Sequence, residues 1–203
     1  MKILVTGFEP FGGEAVNPSY EAVKLLKDEI NGAQIIKRSL PVVYGKSVEK
    51  LIEAIEEEKP NAVLCLGQAG GTCALSVERV GINLMDSSQK DNDGGACEDE
   101  VIFPDGESAY FSSLPIKAMV KRIRDNKLPA VISNTAGTYV CNNVLYGLLY
   151  SINKHYPDLK GGFIHVPFIP EQVLDKPGKA SMSPDDIVRG ITYAIEAISE
   201  EGA

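Results

Sequence analysis

The chain reads as an α/β fold with a mostly parallel central sheet. Short apolar runs rich in Val and Ile alternate with segments whose apolar residues recur at three and four positions, the patterns of buried strands and amphipathic helices. Its 203 residues are 44% hydrophobic, and no Gly/Ser-rich or Pro-rich linker divides them. One core and one domain, spanning residues 1–203, are therefore expected.

The elements follow in order. Ile3–Thr6 is the first strand, leading into the loop Gly7-Phe8-Glu9-Pro10-Phe11-Gly12-Gly13. Val23, Leu26 and Ile30 predict a first helix, Gln34–Leu40 a strand, and Val48, Leu51, Ile52 and Ile55 a second helix. Ala62–Leu66 is the next strand, followed by Gly67-Gln68-Ala69-Gly70-Gly71. From about Asp86 to Ser112 the pattern breaks into an acidic stretch with Gly94, Gly95, Pro104 and Gly106. This reads as a long surface excursion, a feature that in compact domains is functional, disordered or part of an interface. Ile116, Met119, Val120 and Ile123 then predict a helix and Ala130–Ser133 a strand. Val144, Leu145, Leu148, Leu149 and Ile152 mark a further helix, and Gly162–Val166 the last strand. In the final helix Ser183 is the N-cap, Pro184 the first helical residue, and Asp185 and Asp186 complement the helix dipole ahead of Ile187, Ile191, Ile195 and Ile198 on one face.

Composition narrows the function. A net charge of −8 argues against nucleic acid or an anionic membrane as principal partner. The apolar run at the start is too short for a signal peptide, and no segment approaches the roughly 20 apolar residues of a membrane span, so a cytoplasmic protein is expected. Cys65, Cys73, Cys97 and Cys141 form no CxxC pair and no zinc spacing, which predicts free thiols and no metal. Cys65, inside an apolar strand, reads as a small core residue.

Cys141 is different. It lies between the turn Thr135-Ala136-Gly137-Thr138-Tyr139-Val140 and an apolar-periodic helix, so its thiol meets unpaired backbone N–H groups and the positive end of the helix dipole. Both favour the nucleophilic thiolate. Of the two histidines, His165 lies in the β-rich run Gly162-Phe163-Ile164-His165-Val166-Pro167, where one crossover can return it beside Cys141. His155, at the end of a helix, reads as a solvated cap. Such a pair needs a third group to orient the imidazole, and Glu78, in an alternating stretch, is the candidate; a salt bridge to Arg79 is its plainer explanation. Tyr146 and Tyr150, four apart on a helix, read as packing residues. Phe8 and Phe11 are either packing residues or the walls of a small apolar pocket. Their loop lacks both GxGxxG and GxxxxGK[ST], which argues against phosphate binding.

The runs Thr6-Gly7-Phe8-Glu9-Pro10-Phe11-Gly12-Gly13, Asn17-Pro18-Ser19, Gly67-Gln68-Ala69, Val77-Glu78-Arg79-Val80, Ala136-Gly137-Thr138-Tyr139-Val140-Cys141-Asn142 and Gly162-Phe163-Ile164-His165-Val166-Pro167 occur in this order across the chain. In this the sequence resembles the pyrrolidone-carboxylate peptidases, or pyroglutamyl peptidases I. The resemblance implies a three-layer α/β/α sandwich of the phosphorylase/hydrolase-like kind, no metal or cofactor, a cytoplasmic homotetramer, and cysteine exopeptidase action on peptides with an N-terminal pyroglutamate through a thioester. It implies Cys141 as nucleophile, His165 as general acid and base, and Glu78 as the orienting carboxylate. Phe8 and Phe11 would hold the pyroglutamyl ring; Asn17, Gln68, Tyr139 and Val140 would complete the substrate site.

Two positions depart from the family's pattern. Ser88 stands where an arginine near the active site is usual, and Asn134 where a tyrosine is common. Oxyanion stabilisation would then rest mainly on backbone donors such as the Cys141 N–H, with Lys90 a possible substitute; one lost donor costs roughly 10²–10³ in rate. The alternative reading is a weakly active or inactive member that binds pyroglutamyl ends. A class I glutamine amidotransferase fits less well, since no His-Pro-Glu run or Gly-x-Cys-x-Gly elbow is present. A nucleoside phosphorylase would need an anion site that the loops do not offer.

Overall fold

The computed structural model describes residues 1–201; residues 202 and 203, the last two of the expected domain, lie outside the described residues. A seven-stranded sheet in the order β10-β5-β11-β4-β1-β3-β2 forms its middle layer. Four neighbouring strands, β11 (Lys160–Val166), β4 (Ala62–Gln68), β1 (Lys2–Phe8) and β3 (Ala33–Leu40), run parallel. β5 (Leu75–Glu78) pairs antiparallel with β11 and parallel with the edge strand β10 (Ala130–Ser133). Residues 69–74, which join β4 to β5, are too few for a crossover helix, so β5 has to run back.

Strand alternation sorts side chains into two apolar layers. Ile3, Val5, Leu64, Leu66, Val77, Ile164 and Val166 face α1 (Pro18–Leu25), α3 (Ile116–Asp125) and α5 (Pro184–Glu201). Leu4, Phe8, Val63, Cys65 and Phe163 face α2 (Lys46–Glu58) and α4 (Val140–His155). The result is the three-layer sandwich that the resemblance implied.

Most predicted elements are present, α5 with its cap: Ser183 Oγ accepts from the Asp186 N–H at 3.1 Å. The first helix differs. It ends at Leu25, and Ile30 belongs to a short strand, β2 (Glu29–Ile30), that pairs with β3 through an Asn31-Gly32 turn in which both residues have positive φ. An Asn-Gly pair is the sequence for such a hairpin. Val23, Leu26 and Ile30 share one apolar cluster, so their spacing imitates a helical face across a helix and a strand.

The excursion carries paired structure. β6 (Val80–Ile82) pairs with β9 (Ala109–Phe111), and β7 (Met85–Ser87) with β8 (Cys97–Glu100), all antiparallel. Asn142, fully buried next to Cys141, ties it down: its Oδ1 accepts from the Ile82 N–H at 3.0 Å, and its Nδ2 donates to Ile82 O and Leu84 O, both at 2.9 Å. Tyr146 and Tyr150 pack against Phe103 and Tyr110 beneath the same excursion, and Tyr146 donates to Glu107 O at 2.6 Å. Asn142→Ala leaves the Ile82 N–H and Leu84 O without this partner, while Ile82 O keeps the Leu84 N–H at 2.9 Å. The substitution is expected to lower stability by about 1–3 kcal/mol or more, read as a fall in thermal midpoint.

Candidate active site

Side-chain parity sets the site. On β5, β4 and β11 the residues that face α4 near the carboxyl ends of β4 and β11 are Ser76 and Glu78, Cys65 and Gly67, and Phe163 and His165. The polar members of this set are those that a core would exclude. Glu78 and His165 are 2% and 6% exposed, and Glu78 Oε1 lies 2.8 Å from His165 Nδ1. With a carboxylate as acceptor, Nδ1 carries the proton, and Nε2 is the ring edge left for chemistry. Glu78 Oε2 is buried with no partner among the described residues, so the imidazole is the carboxylate's one hydrogen-bond partner there. Arg79 does not pair with Glu78; its Nε donates to Asn134 Oδ1 at 2.8 Å, which removes the plainer salt-bridge account of Glu78.

Cys141 approaches from the helix layer. α4 begins at Val140; Tyr139, its N-cap, makes no side-chain cap bond, and the Asn143 N–H donates to Tyr139 O at 3.1 Å. The first-turn N–H groups, that of Cys141 among them, are thus left to a ligand at the positive end of the helix. The route to this position differs from the expected simple crossover, because β10 runs antiparallel to β11 and β5 lies between them.

Burial pushes the His165 imidazole down, but the facing Cys141 sulfur and then Glu78 outweigh it, and its pKa is raised to about 10. The balance favours the imidazolium form. Cys65, by contrast, is wholly buried, and desolvation pushes its thiol up to about 12. It is an inert core thiol, as its position in the strand predicted.

Gly67 is required by close approach. A Cβ there would stand 2.9 Å from Cys141 Sγ and 2.6 Å from Phe163 Cζ. Gly67→Ala is expected to displace the sulfur and lower the rate of Cys141 alkylation together with turnover; unchanged rates for both would contradict this packing.

A cleft of about 540 Å³ opens over these groups, lined by Glu78, Cys141 and His165 among others, and by no lysine or arginine. Beside it lies a smaller cavity whose lining is Phe8, Phe11, Asn17, Gln68, Tyr139 and Val140, together with Val42 and Cys141. All six candidate substrate residues thus line one cavity with Cys141. Phe8 is 2% exposed and Tyr139 packs its ring 6.1 Å from that of Phe11. The Asn17 amide is engaged locally, its Oδ1 accepting from the Ser19 N–H at 3.1 Å and its Nδ2 donating to Glu9 O at 2.9 Å, so it shapes the cavity wall.

Val42 escaped the sequence reading because nothing about a lone valine after a strand marks it. Gln172, 5% exposed and bonded to Gln68, escaped for the same reason. Ser88 is exposed and absent from the cleft lining, where its neighbour Gln89 stands. Lys90 is exposed too and does not line the cleft; its carbonyl accepts from the Tyr139 hydroxyl at 3.0 Å. His155 is exposed at the end of α4.

Geometry of this kind, on an α/β sandwich, suits one class of chemistry: hydrolysis through a sulfur nucleophile. The family model described as pyroglutamyl peptidase matches residues 1–201. A pyrrolidone-carboxylate peptidase from Thermosipho africanus is 59% identical over 99% of this chain and 98% of its own length. One from Clostridium perfringens is 55% identical over 98% of this chain and 93% of its own length. Among solved structures, pyroglutamyl peptidase I from Bacillus amyloliquefaciens superposes with a TM-score of 0.95 at 44% identity, covering 98% of this chain and 94% of that one. A mutant pyrrolidone carboxyl peptidase from the hyperthermophile Pyrococcus furiosus gives 0.95 at 46% identity, with all of both chains covered. The chain belongs to the pyroglutamyl peptidase family.

Proposed function

We propose that this protein is a cysteine exopeptidase that removes an N-terminal pyroglutamyl residue from peptides. The observation that carries the reading is the cleft of about 540 Å³ in which Cys141, His165 and Glu78 meet Phe11 and Gln68, with a small apolar recess beside it lined by Phe8 and Phe11. A five-membered lactam is flat and mostly apolar, with one N–H and one C=O, and needs such a pocket. It carries no ammonium, so the cleft needs no acidic anchor for one.

Chemistry follows from the geometry. The Cys141 thiolate attacks the pyroglutamyl carbonyl, and the oxygen that gains charge is met by the N–H groups at the start of α4. His165, protonated, gives its proton to the amine as the C–N bond breaks, leaving a thioester. Neutral His165 then takes a proton from water, which attacks the thioester and frees 5-oxoproline; the proton and the sulfur return to their starting state. Glu78 holds the imidazole by Nδ1 throughout. Backbone donors carry the oxyanion in this scheme, since neither Ser88 nor Lys90 lines the cleft.

The enzyme acts as one domain, without metal or cofactor, in the cytoplasm and as a homotetramer; the acidic composition, the four free thiols and the family resemblance support this setting. Among the described residues no helix is long and apolar enough to cross a membrane.

Peptides beginning with pyroglutamate, glutamine or proline, incubated with the protein and followed by mass spectrometry, test the reading. Loss of the first residue only from the pyroglutamyl peptide is expected, with iodoacetamide modifying Cys141 faster than Cys65 or Cys73. Binding of 5-oxoproline without cleavage, and slow Cys141 alkylation, would replace the enzyme by a protein that only holds pyroglutamyl ends.

A further inference from the structure

Gln68 lines both the cleft and the ring cavity, and an amide there serves recognition only if the correct edge faces the ligand. Either edge is isosteric with the other, but one donates and one accepts. What fixes the edge is a relay that starts at a backbone group. The Ile169 N–H, which can only donate, meets Gln172 Oε1 at 3.2 Å. Gln172 Nε2 is thereby turned the other way, towards Gln68 Oε1 at 2.9 Å, Glu14 Oε2 at 3.3 Å and Val16 O at 3.4 Å. Because Val16 O and the Glu14 carboxylate only accept, the reverse orientation of Gln172 would set acceptor against acceptor. This contact turns Gln68 Oε1 towards Gln172, so the Gln68 Nε2 edge is the one left for the cavity.

Gln172 itself sits on a 3₁₀ turn, Pro170–Val173, shortly after the strand that carries His165, and is 5% exposed. Its neighbour Glu14 is held by Lys176 at 3.0 Å, which ties this turn to the loop bearing Phe11.

We propose that Gln172 is a positioning residue that sets the Gln68 amide as a donor to the ring cavity, and so makes the pocket selective for the ring carbonyl of the 5-oxoprolyl group. This rests on the pyroglutamyl reading above. A ring that has a methylene in place of that carbonyl leaves the oriented Gln68 donor unpaired. When the relay is cut, Gln68 is free to turn its carbonyl inward, and the cavity loses its preference.

The test uses Gln172→Met and Gln68→Met, near-isosteric changes, singly and together, with kcat and KM for a pyroglutamyl amidomethylcoumarin and the rate of Cys141 alkylation. Q172M is expected to raise KM with little change in kcat, a loss of roughly 10–100-fold in kcat/KM, while alkylation stays within about twofold of wild type. In the Q68M background Q172M should add less than about twofold, because it acts through Gln68. Unchanged KM in Q172M, a loss that multiplies with that of Q68M, or alkylation that falls in step would each overturn the proposal. Should Q172M fail to fold, Gln172→Asn, too short to span Ile169 and Gln68, carries the same expectations. If wild type does not turn over the substrate, the functional reading fails; calorimetric binding of 5-oxoproline then decides for Gln172, weaker binding in the variant supporting it and equal binding overturning it.

Discussion

Replacing Cys141 by alanine is expected to abolish release of the pyroglutamyl group, by about 10⁴-fold or more, in a protein that folds as before. The sulfur ends at the cleft and its residue is only half-buried, so alanine removes little packing and suits the first turn of α4. His165→Ala should match this loss, since the leaving amine then has no proton donor, and should also slow alkylation of the Cys141 thiol that remains. The two effects do not add, because each residue is useless without the other. Near-normal turnover in either variant, with circular dichroism and thermal midpoint unchanged, contradicts the assignment.

Glu78→Gln separates orientation from charge. Glutamine keeps an acceptor for Nδ1–H but removes the carboxylate that helps to hold the imidazolium, so turnover should fall by roughly one to two orders of magnitude less than in the Cys141 variant. The pH profile gives the sharper result. In wild type His165 is raised from 6.5 to about 10. A group with a raised folded pKa contributes stability that is present in full below its unfolded value and is lost as pH rises through the folded one. Both stability and the protonated acid should therefore decline between about pH 6.5 and pH 10 in wild type, and in Glu78→Gln the alkaline limb of kcat/KM should move to lower pH. An unmoved limb would mean that Glu78 is not coupled to the imidazole. Gross unfolding would make it a structural residue instead.

The parallel part of the fold was legible because β1 and β4 are buried apolar runs, and because β3 and β11 each carry a short apolar stretch, Ile35-Ile36 and Phe163-Ile164. β5 was not, because its α4-facing positions are Ser76 and Glu78, which interrupt the run that a central strand normally shows. Cys141 and His165 could be found from their places in the pattern, one thiol at a helix start and one histidine in a strand. Glu78 needed the resemblance, since a carboxylate beside an arginine has a simpler explanation until the structure turns Arg79 toward Asn134. Local periodicity misled where tertiary packing drew on two elements, as with Ile30. Val42, Asn142 and Gln172 lie beyond sequence reading altogether, because their roles come from groups far along the chain: Ile82 and Leu84 for Asn142, Gln68 and Val16 for Gln172.

The measurement that bears most directly on the whole account is coumarin release from pyroglutamyl amidomethylcoumarin by wild type and by Cys141→Ala, with the prolyl and glutaminyl analogues alongside. Release confined to wild type and the pyroglutamyl substrate is the predicted result. Equal release by the Cys141 variant, or equal cleavage of the prolyl analogue by wild type, would contradict it.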